Sequence, residues 1–176
     1  MSNLYYIGLI PDEELNSLCV TYKNQAEELF ACKAAKKSPA HITIVPPFEI
    51  DSSNMELINQ ELSELVKKYT TLELAIHGWN HFKERTIYMA IEATPQLKQI
   101  FTEVYERVIH YVTPRGDRKF IPHISIINRD LLAENFAAAY DFFSQKSLPA
   151  KCICSKLVLF SLVNGKWRNS ISYNLI

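Results

Sequence analysis

At 176 residues, 48% apolar and 22% charged, the chain has the make-up of an ordinary soluble globular protein and is long enough to bury a core without cross-links. Nineteen Lys plus Arg balance nineteen Asp plus Glu. This removes any global pull toward long duplex nucleic acid or an anionic membrane, so an anionic ligand must be met by a local site. The opening MSNLYYIGLIPDEEL has no basic run, and its apolar stretch is too short for a signal peptide or a membrane span, so a cytoplasmic address is expected.

In chain order, Leu4 to Ile10 is predicted as an apolar strand, with Pro11 at the first position of a helix marked by Leu15, Leu18, Cys19, Tyr22, Ala26 and Leu29. After the basic stretch Lys33 to Lys37, the alternation over His41 to Val45 predicts a strand stopped by Pro46 and Pro47. A helix over Asn54 to Tyr69 follows, capped from Asp51, Ser52 or Ser53, and then a strand over Leu72 to His77. The order then repeats. Thr86 to Glu92 reads as a strand, Thr94 and Pro95 open a helix through Leu97, Ile100, Val104 and Val108, and a loop over Thr113 to Lys119 leads to a strand over Phe120 to Ile127. A helix over Leu131 to Phe143 and two strands, Cys152 to Val163 and Trp167 to Asn174, joined around Asn164 and Gly165, complete the pattern. The expectation is one α+β domain over 1–176: a duplicated bilobal fold with two mainly antiparallel sheets facing a central cleft and helices outside. The lobes run over about 1–80 and 84–176, with strands free to exchange between them.

Cys19, Cys32, Cys152 and Cys154 read as buried small residues in a reducing compartment. Cys152 and Cys154 lack a second ligand pair, and His77 and His81 flank Gly78, Trp79 and Asn80, which suit a turn; neither pair has the ligand set of a zinc site. No metal or cofactor is implied.

Each half carries one short motif in a matched slot: Pro39-Ala40-His41-Ile42-Thr43-Ile44 and Pro122-His123-Ile124-Ser125-Ile126. On a strand, His41 and Thr43 share one face and Ile42 and Ile44 the other; His123 and Ser125 separate from Ile124 and Ile126 likewise. Packing explains the isoleucines. It gives no reason to keep an imidazole and a hydroxyl together on the opposite face of both halves. Two histidines that titrate near neutrality suit general acid-base work at a phosphodiester, one neutral to activate water and one charged to protonate the leaving alkoxide, with the hydroxyls donating to the phosphoryl oxygens. A Ser or Thr nucleophile is the other use of these atoms, but a nucleophile is needed once and with an orienting partner.

The stretches HITIVPPF and FIPHISIINRD resemble the two-histidine (2H) phosphoesterase superfamily, and within it the 2′-5′ RNA ligase and cyclic phosphodiesterase branch. The resemblance implies that His41 and His123 form the acid-base pair, that Thr43 and Ser125 bind the phosphate, and that 2′,3′-cyclic phosphates or 2′-5′ linkages of nucleotides and RNA are hydrolysed without a metal. A non-catalytic nucleotide or RNA-end binding module and an ATP-independent 2′-5′ RNA ligase are the alternatives. Arg115, Arg118 and Lys119 before the second motif and Arg129 after it supply local positive charge, with Arg129 and Arg118 the first candidates to clamp phosphate. Tyr6, Phe120 and Phe48 are candidates to stack on a base, core packing being the other use of such rings.

Overall fold

The computed structural model of the protein describes residues 4–115 and 119–176. Among them are nine strands and four α-helices in the order β1 (Leu4–Ile10), α1 (Glu13–Phe30), β2 (Ile42–Ile50), α2 (Met55–Val66), β3 (Leu72–Phe82), β4 (Thr86–Ile91), α3 (Pro95–Val108), β5 (Val112–Pro114), β6 (His123–Asn128), α4 (Phe136–Ser144), β7 (Lys151–Cys154), β8 (Lys156–Val163) and β9 (Lys166–Asn174). They form two antiparallel sheets, β5-β2-β1-β8-β9 and β6-β4-β3-β7, an α+β fold in which neither sheet is built from one half of the chain alone. The helices cross over as well. α1 follows β1 yet packs against β6, and α3 follows β4 yet packs against β2. The core fills the space between helices and sheets, and Ile42, Ile44, Phe48, Leu62, Val104 and Ile124 are fully enclosed in it. Each such aliphatic side chain contributes about 1.5–3 kcal/mol relative to exposure.

Local chemistry sets the element ends. Asp12 caps α1, its Oδ1 accepting the Leu15 N–H at 3.0 Å, so Pro11 lies before the cap and not at the first helical position, which Glu13 takes. Thr94 caps α3 the same way, accepting from Leu97, with Pro95 at the first helical position. Pro46 and Pro47 do not stop β2, which continues to Ile50. Three steps on β2, from Val45 to Phe48, oppose two on β1, from Ile7 to Tyr5, so the prolines sit in a bulge where no ladder N–H is needed. β3 likewise runs on to Phe82, because Gly78 at φ +85° forms a bulge where a turn was expected.

The stretch from Cys152 to Val163 is two strands, not one. β7 pairs with β3, β8 pairs with β1, and the chain changes sheet at Ser155. The short strand β5 was missed because Thr113 and Pro114 read as loop. It pairs only with the far end of β2, over Ile50 to Phe48. The hairpin of β8 and β9 turns on Asn164 and Gly165, both at positive φ. All four cysteines are buried and unbridged. Among the described residues no helix is long and apolar enough to cross a membrane.

Candidate active site

The two motif strands, one in each sheet, approach until their Cα atoms come within 8 Å. On β2 the isoleucines Ile42 and Ile44 are fully buried, while His41, just before the strand, and Thr43 are half-buried on the other face. β6 repeats this with Ile124 and Ile126 in the core and His123 and Ser125 half-buried. The match extends to the register. Gly8 lies opposite Thr43 and Ile7 opposite Val45, leaving Ile44 as an extra residue; Tyr88 lies opposite Ser125 and Ile87 opposite Ile127, leaving Ile126 as the extra one. A bulge therefore follows the hydroxyl residue in both strands. It re-aims the chain beyond the site and lets two successive apolar residues, Ile44-Val45 and Ile126-Ile127, both point inward.

Each imidazole is tethered by its own chain. His41 Nδ1 lies 2.9 Å from the Pro39 carbonyl oxygen and His123 Nδ1 lies 2.6 Å from that of Ile121, in both cases two residues upstream. A carbonyl only accepts, so both rings carry their proton on Nδ1 and present an unprotonated Nε2. Among the described residues neither Nε2 has a protein hydrogen bond, and neither do the Thr43 and Ser125 hydroxyls. Four polar groups from two strands are thus without a protein partner among the described residues.

The rings differ in surroundings. His41 rests over β1 beside the Tyr6 ring, with centroids 4.6 Å apart, and near Phe160 at 5.8 Å. The Tyr6 hydroxyl and Ser38 Oγ are 2.5 Å apart, and Ser38 Oγ is also 3.3 Å from His41 Nδ1. His123 sits between Tyr88 and Phe82, each centroid at 4.9 Å. Desolvation by these apolar surroundings disfavours the charged ring and lowers the His41 pKa to about 4. The Pro39 carbonyl opposes this shift, whereas the charges of Lys23 and His123 reinforce it. His123 is also held below the ordinary imidazole value by burial, against its Ile121 bond. The influence of His123 on His41 shows that the two imidazoles sense each other's charge.

Other sequence candidates fall elsewhere. Phe48 is fully enclosed, beside Tyr5, and has no face for a base. Phe120 stacks on Phe101 at 4.1 Å. Tyr6, 3% exposed and packed against His41, Phe160 and Trp167, supports the imidazole instead of offering a stacking surface. The Arg115 guanidinium pairs with Glu49, Lys119 is exposed, and Arg118 lies outside the described residues. Arg129 is exposed just past β6 at φ +67°, where its N–H donates to the Arg85 carbonyl and its own carbonyl accepts from the Arg85 side chain. No contact brings its guanidinium to the imidazoles. Among the described residues no cluster of His, Cys, Asp or Glu is arranged to hold a metal ion. His81 instead bonds the Lys83 carbonyl through Nδ1 at 2.7 Å.

Sequence reading missed Gly8, Ser38 and Lys23. A Cβ on Gly8 would lie 3.3 Å from His41 Cβ and Cδ2 and 3.1 Å from the Ile42 carbonyl oxygen, so glycine is what lets the ring lie against β1. The signal was a lone Gly inside the apolar run Tyr5-Tyr6-Ile7-Gly8-Leu9-Ile10.

The family model described as the 2′-5′ RNA ligase superfamily matches residues 13–166. The chain belongs to that superfamily, the 2H phosphoesterases. A Bacillus licheniformis protein named "Putative phosphoesterase" is 23% identical over 166 residues, 93% of each chain, and a phosphoesterase-named protein of Geobacillus thermodenitrificans is 24% identical over 169 residues, 93% of this chain and 91% of its own. Among solved structures, E. coli LigT complexed with 3′-AMP shares the 2H fold with a TM-score of 0.70 at 13% identity, covering 99% of both chains. A Thermus thermophilus protein, TT0787, superposes with a TM-score of 0.63 at 13% identity, covering 98% of this chain and 97% of its own. LigT has also been solved with ATP and with NADP+. The superfamily supports a phosphoesterase class for this protein and leaves substrate and mechanism to the site.

Proposed function

We propose that the protein is a metal-independent phosphodiesterase that opens 2′,3′-cyclic phosphates, or cleaves 2′-5′ linkages, of nucleotides and RNA ends in the cytoplasm, with His41 and His123 as its acid-base pair. The observation that carries the reading is the matched pair of tethered imidazoles, each with a free Nε2 and with an unpartnered hydroxyl two residues on.

In the hydrolytic direction the neutral Nε2 of His41 takes a proton from water as the water oxygen attacks phosphorus. The P–O3′ bond breaks, and the Nε2–H of a protonated His123 delivers its proton to the departing 3′ oxygen, leaving a 2′-phosphomonoester. His41 is the base because its lower pKa keeps it neutral, and His123, the less perturbed ring, is the one a bound phosphate charges. Thr43 and Ser125 donate to the non-bridging oxygens, whose charge must be held through the transition state. Ligation uses the same two proton transfers with a 5′-hydroxyl in place of water: its oxygen attacks phosphorus as the P–O3′ bond breaks and a 2′-5′ linkage forms, so RNA halves incubated with the protein report which attacking group prevails.

The deciding experiment is turnover of a panel of 2′,3′-cyclic nucleotides in EDTA. Wild-type protein is expected to produce 2′-phosphates, and His41→Ala or His123→Ala to lose about 10²- to 10⁴-fold. Tight nucleotide binding with no turnover of any cyclic or 2′-5′ substrate would identify a binding module instead.

A further inference from the structure

A cavity of about 450 Å³ lies between α1, the segment leading to His41, and the strand β9. Five cations border it, Lys23, Lys36, Lys37, Lys166 and Arg168, and no carboxylate does. A larger cavity of about 630 Å³, by contrast, is lined by Glu49 and Asp51. Of the five cations Lys36 alone forms an ion pair among the described residues, with Glu27. In a chain of zero net charge this is a concentrated local field.

The most telling member is Lys23. It is 5% exposed, and its Nζ donates to the Ser38 carbonyl at 2.9 Å with no acid beside it. Burying an ammonium without a counter-charge is unfavourable, and burial has brought its pKa down to about 8, which still leaves it charged at neutral pH. An anion in the cavity would relieve that penalty. Trp167 adds an aromatic wall, half-buried, with its ring centroid 4.7 Å from that of Tyr6, whose ring in turn lies 4.6 Å from His41. The Trp167 wall of the cavity is therefore two ring contacts from the His41 imidazole.

We propose that this cavity binds the neighbouring phosphate of a single-stranded ribonucleotide chain whose terminal phosphate sits between the imidazoles, with the adjacent base stacked on Trp167. The assignment rests on the phosphodiester reading above and narrows it: the preferred substrate is an RNA end, not a mononucleotide. Cationic grooves interleaved with aromatic rings are how single strands are held without reading sequence.

The test is binding, read without turnover. The probes are a 3′-phosphorylated pentaribonucleotide and the corresponding 3′-phosphorylated mononucleotide, measured by competition against a fluorescent oligomer. Wild-type protein is expected to prefer the pentamer by about tenfold or more. The double variant Lys166→Gln/Arg168→Gln, at two exposed positions, should bring that ratio below about threefold and reduce the slope of log affinity against log salt by about 1.4, about 0.7 per lost contact. Trp167→Ala should lower the ratio as well. Thermal melts identify a misfolded variant, in which case Lys37→Gln on the opposite wall makes the same test. A ratio near one in the wild type, a ratio unmoved in these variants, or equal competition by hexaglutamate overturns the proposal. Turnover of cyclic mononucleotides with a pentamer ratio near one refutes the cavity alone, whereas a high ratio without turnover refutes the catalytic reading alone.

Discussion

Gly8 lies directly beneath His41, and a methyl group added there would meet the imidazole's Cβ and Cδ2 at 3.3 Å. Because the Ile42 carbonyl oxygen at 3.1 Å is backbone and cannot swing aside, the ring is the part that must yield. Gly8→Ala is expected to lower kcat by about 10- to 100-fold through displacement of Nε2, with a smaller change in KM. The matched position on β4 is Tyr88, which touches the side of the other ring. Tyr88→Phe keeps that ring and should leave kcat within about threefold. Equal tolerance at Gly8 would show that the His41 pose is not what turnover needs.

The pH dependence follows from the two imidazoles. In the free protein the base works above its pKa of about 4 and the acid works below its own, which lies under the ordinary 6.5. The kcat/KM profile should therefore be bell-shaped, with its maximum on the acid side of neutrality. A bound phosphate favours both charged rings, so the kcat profile should sit at higher pH than that of kcat/KM. Steady-state rates with one cyclic nucleotide from pH 3.5 to 8 decide this, and a kcat/KM that is still rising at pH 7.5 would contradict the assigned protonation states.

Thr43 and Ser125 are expected to share the phosphate. Thr43→Val preserves shape and removes a donor, as Ser125→Ala does, and each should reduce kcat by about 10²-fold, the scale of a lost oxyanion donor. The double variant should fall further. Were one hydroxyl a nucleophile instead, its loss alone would abolish turnover while the other's would be mild.

Asp130, two residues beyond β6, accepts the backbone N–H groups of Lys33 and Ala34 through one carboxylate oxygen at 2.6 and 2.7 Å. This ties the end of one motif strand to the helical turn at Ala34–Lys37 that leads into the other motif. Asp130→Ala leaves the part-buried Ala34 N–H without its acceptor and the exposed Lys33 N–H to water, and should destabilise the fold by about 1 kcal/mol, seen as a lower urea midpoint. It should also reduce kcat, because the chain approaching His41 is loosened. Full activity in a destabilised variant would separate the two effects.

Folding stability carries the mark of His41 as well. The folded ring takes up a proton near pH 4 and the unfolded one near 6.5, so over that window the unfolded state binds more protons and stability falls as pH falls. Below about pH 4 this contribution is constant. His41→Gln should therefore compare more favourably with wild type in Tm at pH 4 than at pH 7. An unchanged difference would mean that His41 is not desolvated.

Much of the candidate site's geometry was legible because the motif was written twice. His41 with Thr43 and His123 with Ser125 occupy equivalent slots, and the isoleucines between them reveal which face is core. The helices and the turn at Asn164-Gly165 followed from periodicity and turn residues. What resisted was long-range. Which sheet β3 or β8 joins is decided by pairing across the whole chain, and Pro46-Pro47 and Gly78 read as stops when in fact they are bulges. Phe48 and Tyr6 looked available because aromatic rings suit both cores and bases; only burial separates the two uses.

The cross-threading of strands has a price during synthesis. A ribosome delivers β1 and β2 long before β8, so Leu4–Ile10 emerges with one flank of N–H and C=O groups waiting for a partner that follows only after β7. Nascent chains arrested before Lys156 should accordingly be digested by proteases that spare the released protein. Both motif histidines are therefore made before the strand that completes the sheet beside His41, so the two imidazoles exist in the growing chain ahead of the scaffold that fixes them.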